Sequence, residues 1–170
     1  MRAFIICGGI RVLRLTVAVA MGAMLICLTQ ASAVDVSPFD KIVGRWVGEG
    51  RLGVRDTATE NVKCRVTYIR PEAEDQLKQT IRCASAGGSI EVQSLVTHVA
   101  GTLTGTWTEL VRNMSGNLTG TVTPRGFRVS VKGDSLNANM DIVILGAKQV
   151  IEIQFINSSL IGLTLILEKG

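Results

Sequence analysis

The chain has 170 residues, 46% of them hydrophobic and only 4% aromatic, with a formal charge of +4. Three of its 18 basic residues, Arg2, Arg11 and Arg14, stand at the very start, and without them 15 basic residues face 14 acidic ones. A basic surface made for nucleic acid or anionic lipid is thereby excluded for the rest of the chain.

The N-terminal stretch reads as a leader. The three arginines precede and enter an apolar run, Leu13 to Leu28, that carries no acidic residue. Ala31-Ser32-Ala33 then puts small residues where a signal peptidase cuts. The run is short for a spanning helix, so the pattern predicts a secretory signal peptide over residues 1–33 and a single domain over 34–170. Cys7 and Cys27 would leave with the leader, and Cys64 and Cys83 would enter an oxidising compartment, periplasmic or extracellular. No stable membrane insertion is expected after cleavage.

Ser37-Pro38-Phe39-Asp40 predicts one short helical turn, with serine as the N-cap and proline at the first helical position. Period-two alternation follows. Trp46, Gly48, Gly50, Leu52 and Val54 share one face, and Arg45, Glu49, Arg51 and Arg55 the other. Val62, Cys64, Val66 and Tyr68 alternate with Lys63, Arg65 and Thr67; after a turn at Pro71 to Asp75, Leu77, Gln79, Ile81 and Cys83 alternate with Lys78, Thr80 and Arg82. Pairing these two strands about their turn puts Cys64 opposite Cys83, close enough for a structural disulfide. Neither cysteine belongs to a C-x-x-C redox motif.

The alternation continues through Ile90 to Val96, Leu103 to Val111, Leu118 to Val122, Phe127 to Val131, Ala138 to Ile144, Ile151 to Phe155 and Leu160 to Leu167. Short strands at this regular spacing predict an all-β, antiparallel up-and-down barrel of about 8–10 strands. The near-repeat GTLTGTWT and GNLTGTVT, from Gly101 and Gly116, predicts a hairpin turning at Asn113 to Gly116. Trp107 then faces Val122, and Glu109 faces Gly120. Gly48, Gly50, Gly105 and Gly120 fall on inward faces, either because the barrel bends there or because space is left for a ligand. In Val150 to Leu167 both alternate sets are aliphatic, which predicts cover on both sides: a second sheet, a homodimer partner or another protein.

Gly44-Arg45-Trp46 at the start of the first strand, after a helical turn and before an antiparallel meander, resembles the calycin superfamily of lipocalins, fatty-acid-binding proteins, avidins and bacterial metalloprotease inhibitors. The resemblance implies that Gly44 and Trp46 close one end of the barrel. A second G-x-W, Gly105-Thr106-Trp107, is similar to that of avidin-like and lipocalin-like bacterial proteins. No arginine follows the last strand to stack on Trp46, as one does in many lipocalins, and the later lipocalin motifs are absent. The chain also resembles small exported proteobacterial proteins without an assigned function.

No catalytic set emerges. One histidine, His98, stands at a strand end, no G-x-S-x-G is present, and the His and Cys supply is too small for a zinc site. No metal, cofactor or nucleic-acid partner is expected. The expected function is a non-catalytic binding module for a small apolar or amphipathic ligand, lined by Trp46, Tyr68, Trp107 and Glu109, with Gln79 and Ser94 on the same inward set. A protein-interaction or inhibitor-type module with a filled barrel, acting through residues 150–167, is the alternative. A small outer-membrane barrel is the third reading, and its aromatic girdles are lacking.

Overall fold

The computed structural model describes residues 37–170; the leader, its cleavage site, Cys7 and Cys27 lie outside them. The described residues form a closed antiparallel barrel of ten strands. In chain order these are β1 (Gly44–Val54), β2 (Glu60–Ile69), β3 (Gln76–Ser85), β4 (Gly88–Val99), β5 (Thr102–Glu109), β6 (Met114–Thr123), β7 (Gly126–Gly133), β8 (Asn137–Leu145), β9 (Lys148–Ile156) and β10 (Leu160–Lys169). Each strand pairs with the next, and β10 pairs back on β1. The all-β, up-and-down architecture is as the alternation predicts.

Period two sorts the side chains. The inward set holds Trp46, Val62, Val66, Leu77, Leu103, Ile142, Ile151 and Leu167, all buried. The outward set is charged, and four of its ion pairs join residues that sit directly opposite on neighbouring strands. These are Glu49–Lys63 at 3.5 Å, Arg82–Glu91 at 2.8 Å, Arg128–Asp141 at 2.8 Å and Lys148–Glu168 at 3.3 Å. Each adds little stability alone, but opposite charges at opposed positions favour this register over a slip.

Cys64 and Cys83 are opposed and bridged, with an S–S distance of 2.05 Å and Cα atoms 4.2 Å apart. The register of the β2–β3 hairpin is the expected one, with Val66 opposite Ile81. The bridge closes a loop spanning 19 positions. Replacing both cysteines with alanine is expected to lower stability by about 3 kcal/mol on the chain-entropy model. Urea melts of the oxidised wild type and the double variant measure this, and reducing agent should shift only the wild type.

Two sequence expectations are corrected. The turn after β5 is Leu110 to Asn113, so Trp107 faces Gly116, six residues before Val122, and Glu109 faces Met114. The displacement is even, so every side chain keeps its predicted face. The segment before β1 is a run of hydrogen-bonded turns rather than a helix, and Ser37 caps it as expected: its Oγ accepts the Phe39 N–H at 3.4 Å, Asp40 N–H donates to Ser37 O at 3.1 Å, and the Ile42 and Val43 N–H groups donate to Phe39 O at 3.0 and 3.2 Å. The expected cover on the outer face of the aliphatic last strands is not supplied by the described residues themselves. Leu163, Leu165 and Leu167 point into the core, whereas Ile166 is 55% and Ile161 56% exposed.

The inward glycines of the seam mark close backbone approach. A Cβ on Gly48 would collide with the Ile166 carbonyl oxygen and stand 2.8 Å from Leu167 Cα; a Cβ on Gly50 would meet the Thr164 carbonyl oxygen. Opposite them stand Leu167 and Leu165. Small residues on β1 thus face large ones on β10 where the barrel closes.

Candidate functional site

The two ends of the barrel differ. One end is plugged by the 37–43 turns, whose Phe39 and Ile42 are each only 1% exposed. Phe39 packs against Phe127 with ring centroids 5.9 Å apart, and against His98 at 6.1 Å. Arg70 ties the plug to the β2–β3 turn, pairing with Asp40 and donating to Glu74 O at 3.1 Å. Trp46 is fully buried beneath it and donates its indole N–H to Ile42 O at 2.7 Å. Lys169 Nζ lies 5.6 Å from the Trp46 ring centroid. A lysine at the end of the last strand, not an arginine beyond it, therefore places a cation over this tryptophan.

The other end is hollow. A cavity of about 530 Å³ runs inward from the rim formed by the β3–β4, β5–β6 and β9–β10 turns. Its wall is mostly aliphatic, with Val62, Val66, Ile81, Leu118, Ile151 and Leu165 among the lining residues, and Cys83 of the disulfide reaches it too. Glu60, Ser85, Glu109, Arg112, Ser158 and Ser159 are its polar residues at the mouth. Among the described residues, only Gln79 and Ser94 bring polar side chains to the deeper wall.

Of the four expected ligand-lining residues, Trp107 and Glu109 line the cavity and Trp46 and Tyr68 do not. All four face inward, but the strands are tilted and the last two lie deeper, in the packed floor. Trp46 belongs to the plug. Tyr68 is 2% exposed and donates its hydroxyl to Gln149 Oε1 at 3.2 Å. Burial pushes the Tyr68 hydroxyl far above its ordinary pKa, only partly opposed by the Gln149 and Gln79 side chains, so it stays protonated and neutral.

Trp107 sits near the mouth and donates its N–H to Lys132 O at 3.3 Å. Its indole lies over Gly133, where a Cβ would stand 2.7 Å from the ring. At this position a glycine does leave space for a large neighbour. Gly133 carries no alternation signal to single it out.

Glu109 is buried at 3% exposure and fully engaged. Its carboxylate accepts three backbone N–H groups, from Arg112 at 2.6 Å, Val111 at 3.0 Å and Glu91 at 3.2 Å. It caps its own hairpin turn and joins that turn to β4. Asn113 completes the turn with φ 54, a left-handed conformation that asparagine tolerates better than most residues. Burial raises the Glu109 pKa, but the three amides and the nearby Arg112 charge outweigh it, and the pKa falls below its ordinary 4.5. The folded state thus prefers the carboxylate more than the unfolded state does. The resulting stability is complete above the ordinary pKa and is lost as pH falls through the lower folded value. Glu109→Gln is expected to cost about 1–3 kcal/mol at neutral pH and to flatten that acid-side loss. Urea titrations from neutral pH downward, wild type against variant, check both.

His98 is held at the plugged end. Its Nε2 accepts the Gly101 N–H at 3.0 Å, and its side chain does not reach the cavity. Among the described residues no three His, Cys, Asp or Glu side chains converge as a metal site.

No protein-family model matches the sequence, and no curated protein sequence matches it. The solved structures do show likeness. The crystal structure of Rv2717c from M. tuberculosis superposes with a TM-score of 0.65 at 12% identity, covering 78% of this chain and 94% of that one. At that identity the likeness shows the shared barrel and nothing of the chemistry inside it.

Proposed function

We propose that this protein is a non-catalytic binding module that carries a small apolar or amphipathic ligand inside its barrel. One observation carries the reading: the barrel is plugged at one end and hollow at the other, with an aliphatic cavity of about 530 Å³ that reaches the rim. This volume falls within the range of small-molecule sites. The G-x-W at Gly44 to Trp46, buried under the turns before β1, supports the calycin-like reading, and the disulfide supports export to the periplasm or beyond. The charged outward face, with Arg51, Lys63, Arg65 and Arg82 along the strands, supports a barrel bathed in water rather than lipid.

The first experiment is a native mass spectrum of the protein purified from its own compartment, beside titration with an apolar fluorescent dye. A mass above that of the oxidised polypeptide, or saturable one-to-one dye binding, is the expected result. A bare mass together with no dye binding would overturn the reading. A second reading, a protein-interaction module, rests on the outward Ile166 at 55% and Val47 at 38% exposure, diagonal to each other across the β1–β10 seam. A dimer mass abolished by Ile166→Lys would favour it.

A further inference from the structure

The geometry points to a ligand with an uncharged group that both accepts and donates hydrogen bonds, a hydroxyl in the simplest case, buried in the cavity at Gln79 and Ser94. The inference rests on the cavity-binding function proposed above and specifies its ligand class.

Tyr68, Gln79, Ser94 and Trp107 are directly opposed across β2, β3, β4 and β5, so they form one oblique row on the inner wall. Tyr68 lies below the cavity floor, and the other three line the cavity. Gln79 and Ser94 are the two polar side chains between the floor and Trp107. They are 8% and 7% exposed, and their remaining accessible surface is cavity wall. Ser94 Oγ donates to Gln79 Oε1 at 2.9 Å.

That bond fixes what the pair can still offer. A glutamine amide has two N–H donors and a hydroxyl oxygen has two lone pairs. Even with one amide N–H turned toward the neighbouring Tyr68, a second donor remains. Among the described residues none donates a hydrogen bond to Ser94 Oγ. The deep wall therefore presents one donor and one acceptor side by side, which a hydroxyl satisfies with its own lone pair and proton.

Charge is refused at the same place. Every charged lining residue, Glu60, Glu109 and Arg112, belongs to the mouth. Glu109 is already saturated by its turn, and Glu60 accepts the Gly87 N–H at 3.1 Å. A carboxylate or ammonium carried to Gln79 would lose its water with no counter-ion to meet it. A purely apolar molecule would leave the spare Gln79 N–H and the spare Ser94 lone pair unpaired. The alcohol is selected over both.

The test is competition against a bound apolar fluorescent dye by decanol, decyl methyl ether, decane and decanoate. Decanol is expected to displace the dye with an affinity roughly tenfold above the ether and the hydrocarbon, and decanoate to be the weakest. In Gln79→Met and Ser94→Ala that preference should shrink several-fold, while decane binds as in the wild type and so reports an intact cavity. Decanoate competing as well as decanol would overturn the inference, as would an unchanged decanol preference in both variants. Binding of the dye and decane would leave the cavity function standing in that case. Absence of all binding, dye included, by protein of bare polypeptide mass would overturn both.

Discussion

Gly48→Ala is expected to destabilise the protein by about 3 kcal/mol or more. The added Cβ would enter the space of the Ile166 carbonyl oxygen, with Leu167 Cα 2.8 Å away. Both obstacles are backbone of β10, so no side-chain rotation relieves the clash. Relief requires β1 and β10 to separate, and these are the two strands that close the ring. Gly53→Ala is the control on the same strand. Its Cβ would find Ile161 Cβ at 3.5 Å, ordinary van der Waals contact. Urea denaturation of both variants should show a large loss for the first and a small change for the second. Equal stabilities would refute the seam argument.

Trp46→Ala should cost about 3–5 kcal/mol, as loss of a fully buried aromatic generally does. The indole is the piece on which the plug rests: its N–H holds Ile42 O at 2.7 Å, and Phe39 and Ile42 pack at the same end. Its removal leaves a void under the 37–43 turns and the Ile42 carbonyl without this donor. The plugged end should then become the weakest part of the protein, seen as faster hydrogen exchange at Ile42 and Val43. Trp46→Phe restores most of the volume and not the N–H, so it should fall between the two. A variant as stable as wild type would show that the turns, not the tryptophan, close this end.

How far these features are legible in the sequence depends on what kind of information a strand carries. Alternation records which face a side chain takes, and it places Tyr68, Gln79, Ser94, Trp107 and Glu109 inward, as they are found. It does not record depth along the barrel axis. Depth follows from strand tilt, a property of the closed ring and not of any one strand, so Trp46 and Tyr68 read as cavity wall although they lie below the cavity floor. The Cys64–Cys83 register is legible because Pro71 and Asp75 bracket a turn that sits midway between the cysteines. The β5–β6 turn misleads for the opposite reason. Asn113 to Gly116 has turn composition, but the turn is made three residues earlier by the Glu109 carboxylate, and a strand-end glutamate carries no sign of that task.

Ring closure between β1 and β10 also sets the order in which the molecule can be completed. Nine of the ten ladders join strands adjacent in the chain and can zip locally as hairpins. The tenth joins the first strand to the last, so the meander must wait with β1 open along one side until β10 arrives. During that interval it is a curled sheet with a free edge, and free edges recruit other chains. Gly48 and Gly50 lie on that edge with no side chain to cover the backbone. The feature that lets the finished barrel shut so tightly is therefore the one that leaves its unfinished form most open to aggregation.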